Sequence, residues 1–390
     1  MGQSNLRTAY AAACCVAVFT LSLAFPAHNW DMLPYIAAAL GYLGESGPAL
    51  LERTLADLRA TVDAGRYVDM TTDPFRSVVT RNPDSLEQLM PFYEIRPLYL
   101  GATIAVSTLT GVTLGQATLL VSAGAGAAIM AVSLYLLRRA PWPIFLAAPP
   151  LLFFLNLFLI ARLSTPDALA ACLAIAVGVA ALRAPTMALV LLPLLPLART
   201  DFVILAPLVA WAVWPSVPRG AAALSVVVAV AAYFAVNAAF GNYGHLTIFN
   251  YQLIAGPTPY PAELAISRDP ADYVRAYLEG AKTMVEDREL WLAAVALALA
   301  LSTPGVLDRS AARLLAAAVG FVALHFLAFP AAFDRTYYVA TWATTMVALL
   351  CLGRRLANAR SIGATGRGPA TAEHSAASAR SAYRPTAPVR

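Results

Sequence analysis

Apolar stretches recur along most of the chain, and short polar segments separate them. A helix needs about 20 mostly apolar residues to cross a bilayer. The pattern predicts ten such helices, several of them short or interrupted by proline, near residues 8–25, 115–137, 142–161, 167–182, 186–199, 201–215, 221–240, 289–302, 311–329 and 337–352. We therefore expect an all-α polytopic membrane protein with about ten transmembrane helices.

The stretch Leu98–Thr110 decides the predicted topology. It is shorter than a membrane span, and its length is more typical of an interfacial or re-entrant segment. If it does not cross the membrane, the arginines in the short turns between spans all fall on the cytoplasmic side, as the positive-inside rule requires. These are Arg138, Arg139, Arg183, Arg219, Arg309, Arg313, Arg354 and Arg355. Both termini are then predicted to be cytoplasmic.

This topology leaves two long extracytoplasmic loops, residues 26–114 and 241–288. Four apolar residues of the first loop share one face of a predicted helix: Leu51, Leu55, Leu58 and Val62. Such a helix is expected to lie along the bilayer surface. In the second loop, Asp269-Pro270 provides a cap and a first-turn proline for another interfacial helix. Residues 1–352 are thus predicted to form one transmembrane domain.

Composition supports this class of protein and excludes others. Of the 390 residues, 59% are hydrophobic and only 13% are charged, whereas soluble proteins have about 25% charged residues. The net charge of +5 belongs to the tail 353–390, which we expect to be a disordered basic cytoplasmic segment rather than a nucleic-acid-binding one. The single lysine and abundant alanine are typical of a GC-rich bacterial genome, so a bacterial inner membrane is expected.

Charged residues gather at the predicted outer ends of several spans. These are Asp31, Asp167, Asp201 and Asp334, and the nearby Arg162, Arg199 and Arg335. Each one alone could be a helix cap or a local ion pair. Together they indicate a polar chamber, because charges near hydrocarbon are costly unless they face a cavity. Arginines on the outer side also oppose the positive-inside rule, and a lipid phosphate is the natural anion for their guanidinium groups at that depth.

Asp31 lies in the loop directly after the first predicted helix, between Trp30 and Tyr35, and could act as a general base toward an acceptor hydroxyl. Trp30 and Tyr35 either stack against a sugar or belong to the aromatic belt of the membrane. His245 is a candidate proton shuttle or a solvated loop histidine. His325 falls within a predicted span and is interpreted as a buried core histidine.

This layout resembles the GT-C superfamily of integral-membrane glycosyltransferases, which includes protein O-mannosyltransferases and actinobacterial arabinosyltransferases. The resemblance is carried by Asp31, the long first loop, Glu94-Ile95-Arg96-Pro97-Leu98-Tyr99, Arg138-Arg139 and Thr165-Pro166-Asp167-Ala168. It implies that Asp31 is the catalytic acidic residue and that the donor is a polyprenyl-phosphate sugar. The chain departs from the pattern in having a single aspartate where many members have an acidic pair, and in lacking a large soluble C-terminal domain.

The sequence thus predicts an inverting glycosyltransferase whose site faces the periplasm. Asp31 would be the base, and Arg335, Arg199 and Arg162 would bind the donor phosphate. Supporting or sugar-binding roles are expected for Trp30, Tyr35, Asp167, Asp201, Asp334, Arg96, Tyr99 and His245. The expected partners are the lipid bilayer, the donor lipid and an acceptor glycan, lipid or protein, and a divalent metal is left open. A lipid-linked-sugar flippase or other transporter, and a non-catalytic scaffold, are the alternatives.

Overall fold

The computed structural model describes residues 3–302, 307–331 and 335–365, and the described chain is all-helical. Short 3-10 and π turns connect several of the helices. The helices are α1 (Gln3–Ala24), α2 (Met32–Tyr42), α3 (Gly47–Thr61), α4 (Ala64–Asp69), α5 (Pro74–Val79), α6 (Pro83–Leu89), α7 (Pro97–Thr110), α8 (Leu114–Leu137), α9 (Trp142–Leu152), α10 (Phe158–Arg162), α11 (Asp167–Arg183), α12 (Pro185–Leu191), α13 (Leu195–Ala198), α14 (Leu205–Val213), α15 (Arg219–Ala239), α16 (His245–Phe249), α17 (Pro270–Glu286), α18 (Arg288–Leu301), α19 (Arg309–Ala328) and α20 (Tyr338–Thr365).

Five helices are long and apolar enough to cross a membrane, which supports a membrane protein. They are Ser4–Ala24, Leu114–Leu137, Trp142–Arg162, Arg219–Ala239 and Arg309–Ala328. Shorter apolar helices include Pro185–Ala198 and Thr200–Ser216, which contain the prolines that weakened the prediction there. Helix α20 continues to Thr365, so the first part of the tail expected to be disordered is helical. The rest of that tail lies outside the described residues.

Helix α8 lies at the centre of the bundle and packs against α1, α7, α10 and α11. A reciprocal capping box, in which Thr113 and Gln116 bond to each other's backbone, begins this helix. Gly126 lets α8 approach α10 closely, because a Cβ at this position would clash with Ala161. The buried side chains of the bundle form one apolar core that extends from Ile129 and Ile160 to Phe202 and Phe321.

A second apolar core lies above the end of this bundle, and we call it the cap. Its centre is α2, an apolar helix that the sequence pattern left as loop. The apolar face of α3 packs against α2, with Leu58 fully buried, so the expectation that this face lies on the bilayer surface is wrong. Asp57, on the polar face, joins the cap to the bundle by accepting the backbone N–H groups of Leu114 and Gly115 at 2.9 Å each.

The Trp142–Arg162 helix is broken near its middle. Pro149 and Pro150 remove backbone donors, and Asn156 takes a left-handed conformation with φ of 67° inside a π turn. The break redirects α10, whose last residue is Arg162. The next segment then turns back at Pro166 to begin α11 with Asp167.

Candidate functional site

A cavity of about 500 Å³ lies between the cap and one end of the helix bundle. Segments that are far apart in the chain meet there: the turn after α1, the start of α11, the turn between α13 and α14, the end of α19 and the residues before α20. Because all of these segments are at helix ends, the cavity lies at one end of the bundle. Most of the predicted charged residues reach it from these ends.

Asp31, in the turn after α1, lines the cavity. Asn29 Nδ2 donates to its Oδ2 at 2.9 Å, and Arg335 Nη1 lies 3.2 Å from the same oxygen. The Tyr93 hydroxyl donates to Oδ1 at 3.3 Å. Burial, reinforced by the Asp31 carboxylate, raises the pKa of Tyr93 well above its ordinary value, so Tyr93 stays protonated and remains a donor. Asn29 is itself oriented because its Oδ1 accepts the backbone N–H of Ser164 at 3.1 Å.

Asp167 lies deeper and joins the two arginines. Arg199 Nη1 is 2.5 Å from its Oδ1, and Arg335 Nη1 is 3.4 Å from its Oδ2. The Thr165 hydroxyl also donates to Oδ2 at 2.7 Å. Only 6% of the side chain of Asp167 is exposed, so its charge depends on these partners. The Thr165-Pro166-Asp167 segment therefore forms part of the site and is more than a helix start.

Arg199 connects Asp167 to Asp201 on the far side of the cavity. Its Nε and Nη2 donate to the two oxygens of Asp201 at 3.0 and 2.7 Å, which is a bidentate pair. His325 Nε2 lies 3.3 Å from Asp201 Oδ2, and His325 Nδ1 lies 3.4 Å from the Tyr337 hydroxyl. We call the connected series Asp31, Arg335, Asp167, Arg199, Asp201 and His325 the ionic chain.

Aromatic side chains and one further arginine form the wall on the cap side. Tyr35 packs edge-on against Tyr93 and Tyr99, with ring centres 5.0 and 5.1 Å apart. Arg96 lies over the Tyr35 ring at 5.8 Å and donates through Nη1 to the Phe92 carbonyl. Its buried Nε has no hydrogen-bond partner, and Arg96 forms no ion pair within the described part of the chain. The cavity thus contains a guanidinium group whose charge is not matched by a bonded carboxylate.

The structure brings most, but not all, of the predicted site residues together. Eight of them line the cavity: Asp31, Tyr35, Arg96, Asp167, Arg199, Asp201, His245 and Arg335. Three lie away from it. Arg162 stacks over Phe158 at 5.3 Å, Trp30 packs between Phe75 and Arg76, and Tyr99 is fully buried beneath Tyr35. Asp334 lies outside the described residues.

His325 is the main residue that sequence reasoning placed elsewhere. It is buried, as expected, but it lines the cavity and contacts Asp201. Asn29, Tyr93 and Tyr251 were also not anticipated. Asn29 precedes Asp31 by two residues, a spacing that favours a local side-chain hydrogen bond and could have indicated its role. Tyr93 and Tyr251 have no such signal, because the loops that carry them are far apart in the chain.

The carboxylates of the cavity are matched to guanidinium groups and are not grouped as metal ligands. Within residues 3–302, 307–331 and 335–365, no three His, Cys, Asp or Glu side chains are positioned to hold a metal ion. Comparison of the chain with protein-family models, curated proteins and solved structures finds no match.

Proposed function

We propose that this protein is an integral-membrane glycosyltransferase that moves a sugar from a polyprenyl-phosphate donor to an acceptor hydroxyl. The carrying observation is that Asp31 shares one cavity with two incompletely bonded guanidinium groups, Arg335 and Arg96, at the end of an apolar helix bundle. A base, an anion-binding pair and access for a lipid chain are what this reaction requires. Membership of the GT-C superfamily, which the sequence resembles, is part of the same proposal.

The proposed topology has about ten spans, with the cavity on the periplasmic side of a bacterial inner membrane. Besides the five long apolar helices, the spans would be α11, α12 with α13, α14 with its flanking turns, α18, and α20. Successive spans then run in opposite directions. Every arginine-bearing turn expected in the cytoplasm lies at the end of the bundle opposite the cavity, in agreement with the positive-inside rule.

Donor phosphate recognition is assigned to Arg335 and Arg96. Among the described residues, Arg335 contacts only Asp31 and Asp167, both through Nη1, so we assign its other N–H groups, with those of Arg96, to phosphate oxygens. Arg199, by contrast, uses Nε, Nη1 and Nη2 on Asp167 and Asp201. We therefore assign Arg199 a positioning role, and we assign no phosphate contact to Arg162.

The proposed reaction is a single displacement. The acceptor oxygen attacks the anomeric carbon while the bond from that carbon to the donor phosphate oxygen breaks. Asp31 takes the hydroxyl proton, and polyprenyl phosphate leaves with the bonding electron pair, with its charge stabilised by Arg335 and Arg96. Inversion at the anomeric carbon follows. Tyr35, Tyr93 and Tyr251 line the space in which the sugar would lie.

A carrier of lipid-linked sugars is the alternative class. Carriers generally place ionisable groups near the bilayer midplane, where both sides can reach them. Here the charged residues gather at one end of the bundle, and the apolar core of Ile129, Leu152, Ile160 and Phe202 fills the space beneath. This arrangement favours chemistry at one membrane face.

The test is mass spectrometry of polyprenyl-phosphate sugars in membranes of cells that lack the protein. We expect one lipid-linked sugar to accumulate, to be cleared by the wild type, and to persist with Asp31→Asn. Asp84→Asn is the matched control, because Asp84 is an exposed aspartate of the same loop. Equal rescue by Asp31→Asn, or no accumulation at all, would contradict the assignment.

A further inference from the structure

A second cavity, of about 650 Å³, opens on the side of the bundle between α14, α15 and α19. Its wall includes Pro207, Trp211, Trp214, Val226 and Arg313, and Arg313 is the one charged side chain among the described residues that line it. Trp211 and Trp214 are 52% and 41% exposed. We call this cavity the tryptophan groove. It plays no part in the proposed glycosyl transfer.

The groove lies at the end of the bundle opposite the ionic chain. Asp201 is at the start of the α14 segment and Trp214 at its end, a separation of about 20 Å at the helical rise of about 1.5 Å per residue. Helix α15 begins at Arg219 and α19 begins at Arg309, so these two arginines are brought to the same end as Arg313. The groove therefore opens where three guanidinium groups gather.

These arginines are not neutralised by neighbouring acids. None of Arg219, Arg309 and Arg313 forms an ion pair with a residue in the described ranges. The nearby carboxylate of Asp308 caps α19 by accepting the backbone N–H of Ala311 at 2.7 Å. An apolar groove bordered by unpaired arginines is complementary to a molecule with an anionic head and apolar chains.

We propose that the tryptophan groove binds an anionic diacyl phospholipid of the cytoplasmic leaflet, with its phosphate near Arg313 and an acyl chain along Trp211 and Val226. Indole rings favour the headgroup level of a bilayer, where Trp214 would then lie. The net negative charge of the headgroup distinguishes this ligand from a zwitterionic phospholipid, whose phosphate is offset by its own ammonium group and whose acyl chains would fill the apolar part of the groove equally well. This inference does not depend on the proposed glycosyl transfer, but its assignment to the cytoplasmic leaflet rests on the proposed topology.

The test uses the full chain in bilayer nanodiscs, with tryptophan fluorescence and phospholipids brominated on their acyl chains. Bromine quenches a tryptophan only at close range, so the groove reports its own occupant. We expect brominated phosphatidylglycerol to quench with roughly five-fold preference over brominated phosphatidylcholine, the factor that corresponds to about 1 kcal/mol for one arginine near anionic lipid. Equal quenching by the two lipids would overturn the proposal.

Variants locate the effect. Arg313→Gln should abolish the preference, whereas Arg313→Lys should keep most of it because the charge remains. Arg183→Gln is the matched control at the same face of the membrane, since Arg183 stacks on Tyr135 at 4.7 Å and does not line the groove. The double variant Trp211→Phe/Trp214→Phe should remove the lipid-selective quenching, and Trp291→Phe should not. Selective quenching that survives in the double variant would place the lipid elsewhere and overturn the proposal.

Discussion

The two arginines of the ionic chain carry the same charge but differ in how they bond to their aspartate partners. Arg199 is 13% exposed and engages two aspartates through three of its nitrogens, including the bidentate pair with Asp201. Arg335 is 33% exposed and contacts two aspartates through a single nitrogen, at 3.2 and 3.4 Å. A guanidinium bonded through three nitrogens maintains structure, whereas one bonded through a single nitrogen can exchange a carboxylate for a ligand phosphate. Under the proposed function, this difference divides the site into a positioning half, which contains Arg199, and a reacting half, which contains Arg335.

The largest effect is expected from Arg199→Gln. This change leaves the buried Asp167 and the half-buried Asp201 without their main partner, and breaking a buried ion pair costs about 3–5 kcal/mol in the free energy of unfolding. Thermal unfolding of the purified protein in detergent should show a large decrease in melting temperature or no folded protein at all. Arg199→Lys should recover part of the stability, since it keeps the charge but not the bidentate geometry. A stable Arg199→Gln protein would remove the distinction between the two arginines.

Arg335→Gln should separate activity from stability. Because Arg335 is partly exposed and its contacts are long, we expect its loss to cost about 1 kcal/mol of stability or less. Transfer activity should fall at least ten-fold, since hydrogen bonds to a charged group contribute about 1.5–3 kcal/mol. Clearance of the lipid-linked sugar in complemented cells, compared with melting temperature, measures both. A fall in stability as large as that of Arg199→Gln would mean that Arg335 is structural.

His325→Asn tests the far end of the positioning half. The change removes one contact of Asp201 and leaves its bidentate pair with Arg199, so we expect a loss of about 1 kcal/mol in stability. Donor binding should change little, because His325 is five contacts away from Asp31 along the ionic chain. Loss of transfer with unchanged stability would instead make His325 part of the reacting half.

Arg162→Gln should have the smallest effect. Arg162 is half-buried and stacks on Phe158 outside the cavity, and it forms no ion pair among the described residues, so its removal should alter stability by less than about 1 kcal/mol. Transfer activity should remain that of the wild type. This variant is therefore the matched control for Arg335→Gln, since both remove an arginine that the sequence assigned to donor phosphate. An activity loss comparable to that of Arg335→Gln would reinstate the original assignment.

The sequence predicted a shared charged site but not this division, because it assigned Arg199 and Arg335 the same role. Apolar length placed most helix ends within a few residues, although α20 continues to Thr365, and charges at those ends indicated a shared cavity that contains Asp31, Asp167, Asp201 and Arg335. The cap was not predicted, because α2 is uniformly apolar and too short to distinguish from a loop next to a membrane. The apolar face of α3 was therefore left without its partner and assigned to the bilayer.

The contacts of individual side chains could not be predicted from the sequence, because they depend on local helix geometry and on which helices pack together. Arg162 and Arg199 both lie at helix ends near an aspartate, yet Arg162 stacks on Phe158, four residues earlier on the same helix. His325 faces Asp201 only because α14 packs against α19, a pairing that periodicity does not specify. Trp30 likewise packs against Phe75 and Arg76 of the same loop rather than facing the cavity.

The most direct test of the reacting half is the binding of undecaprenyl phosphate compared with undecaprenol, measured by native mass spectrometry on the purified full chain. The two lipids differ only in the phosphate. We expect the wild type and Arg162→Gln to prefer the phosphate form at least ten-fold, and we expect Arg335→Gln and Arg96→Gln each to lose most of that preference. Equal binding of the two lipids by the wild type, or an undiminished preference in Arg335→Gln, would contradict the assignment of this cavity to a lipid phosphate.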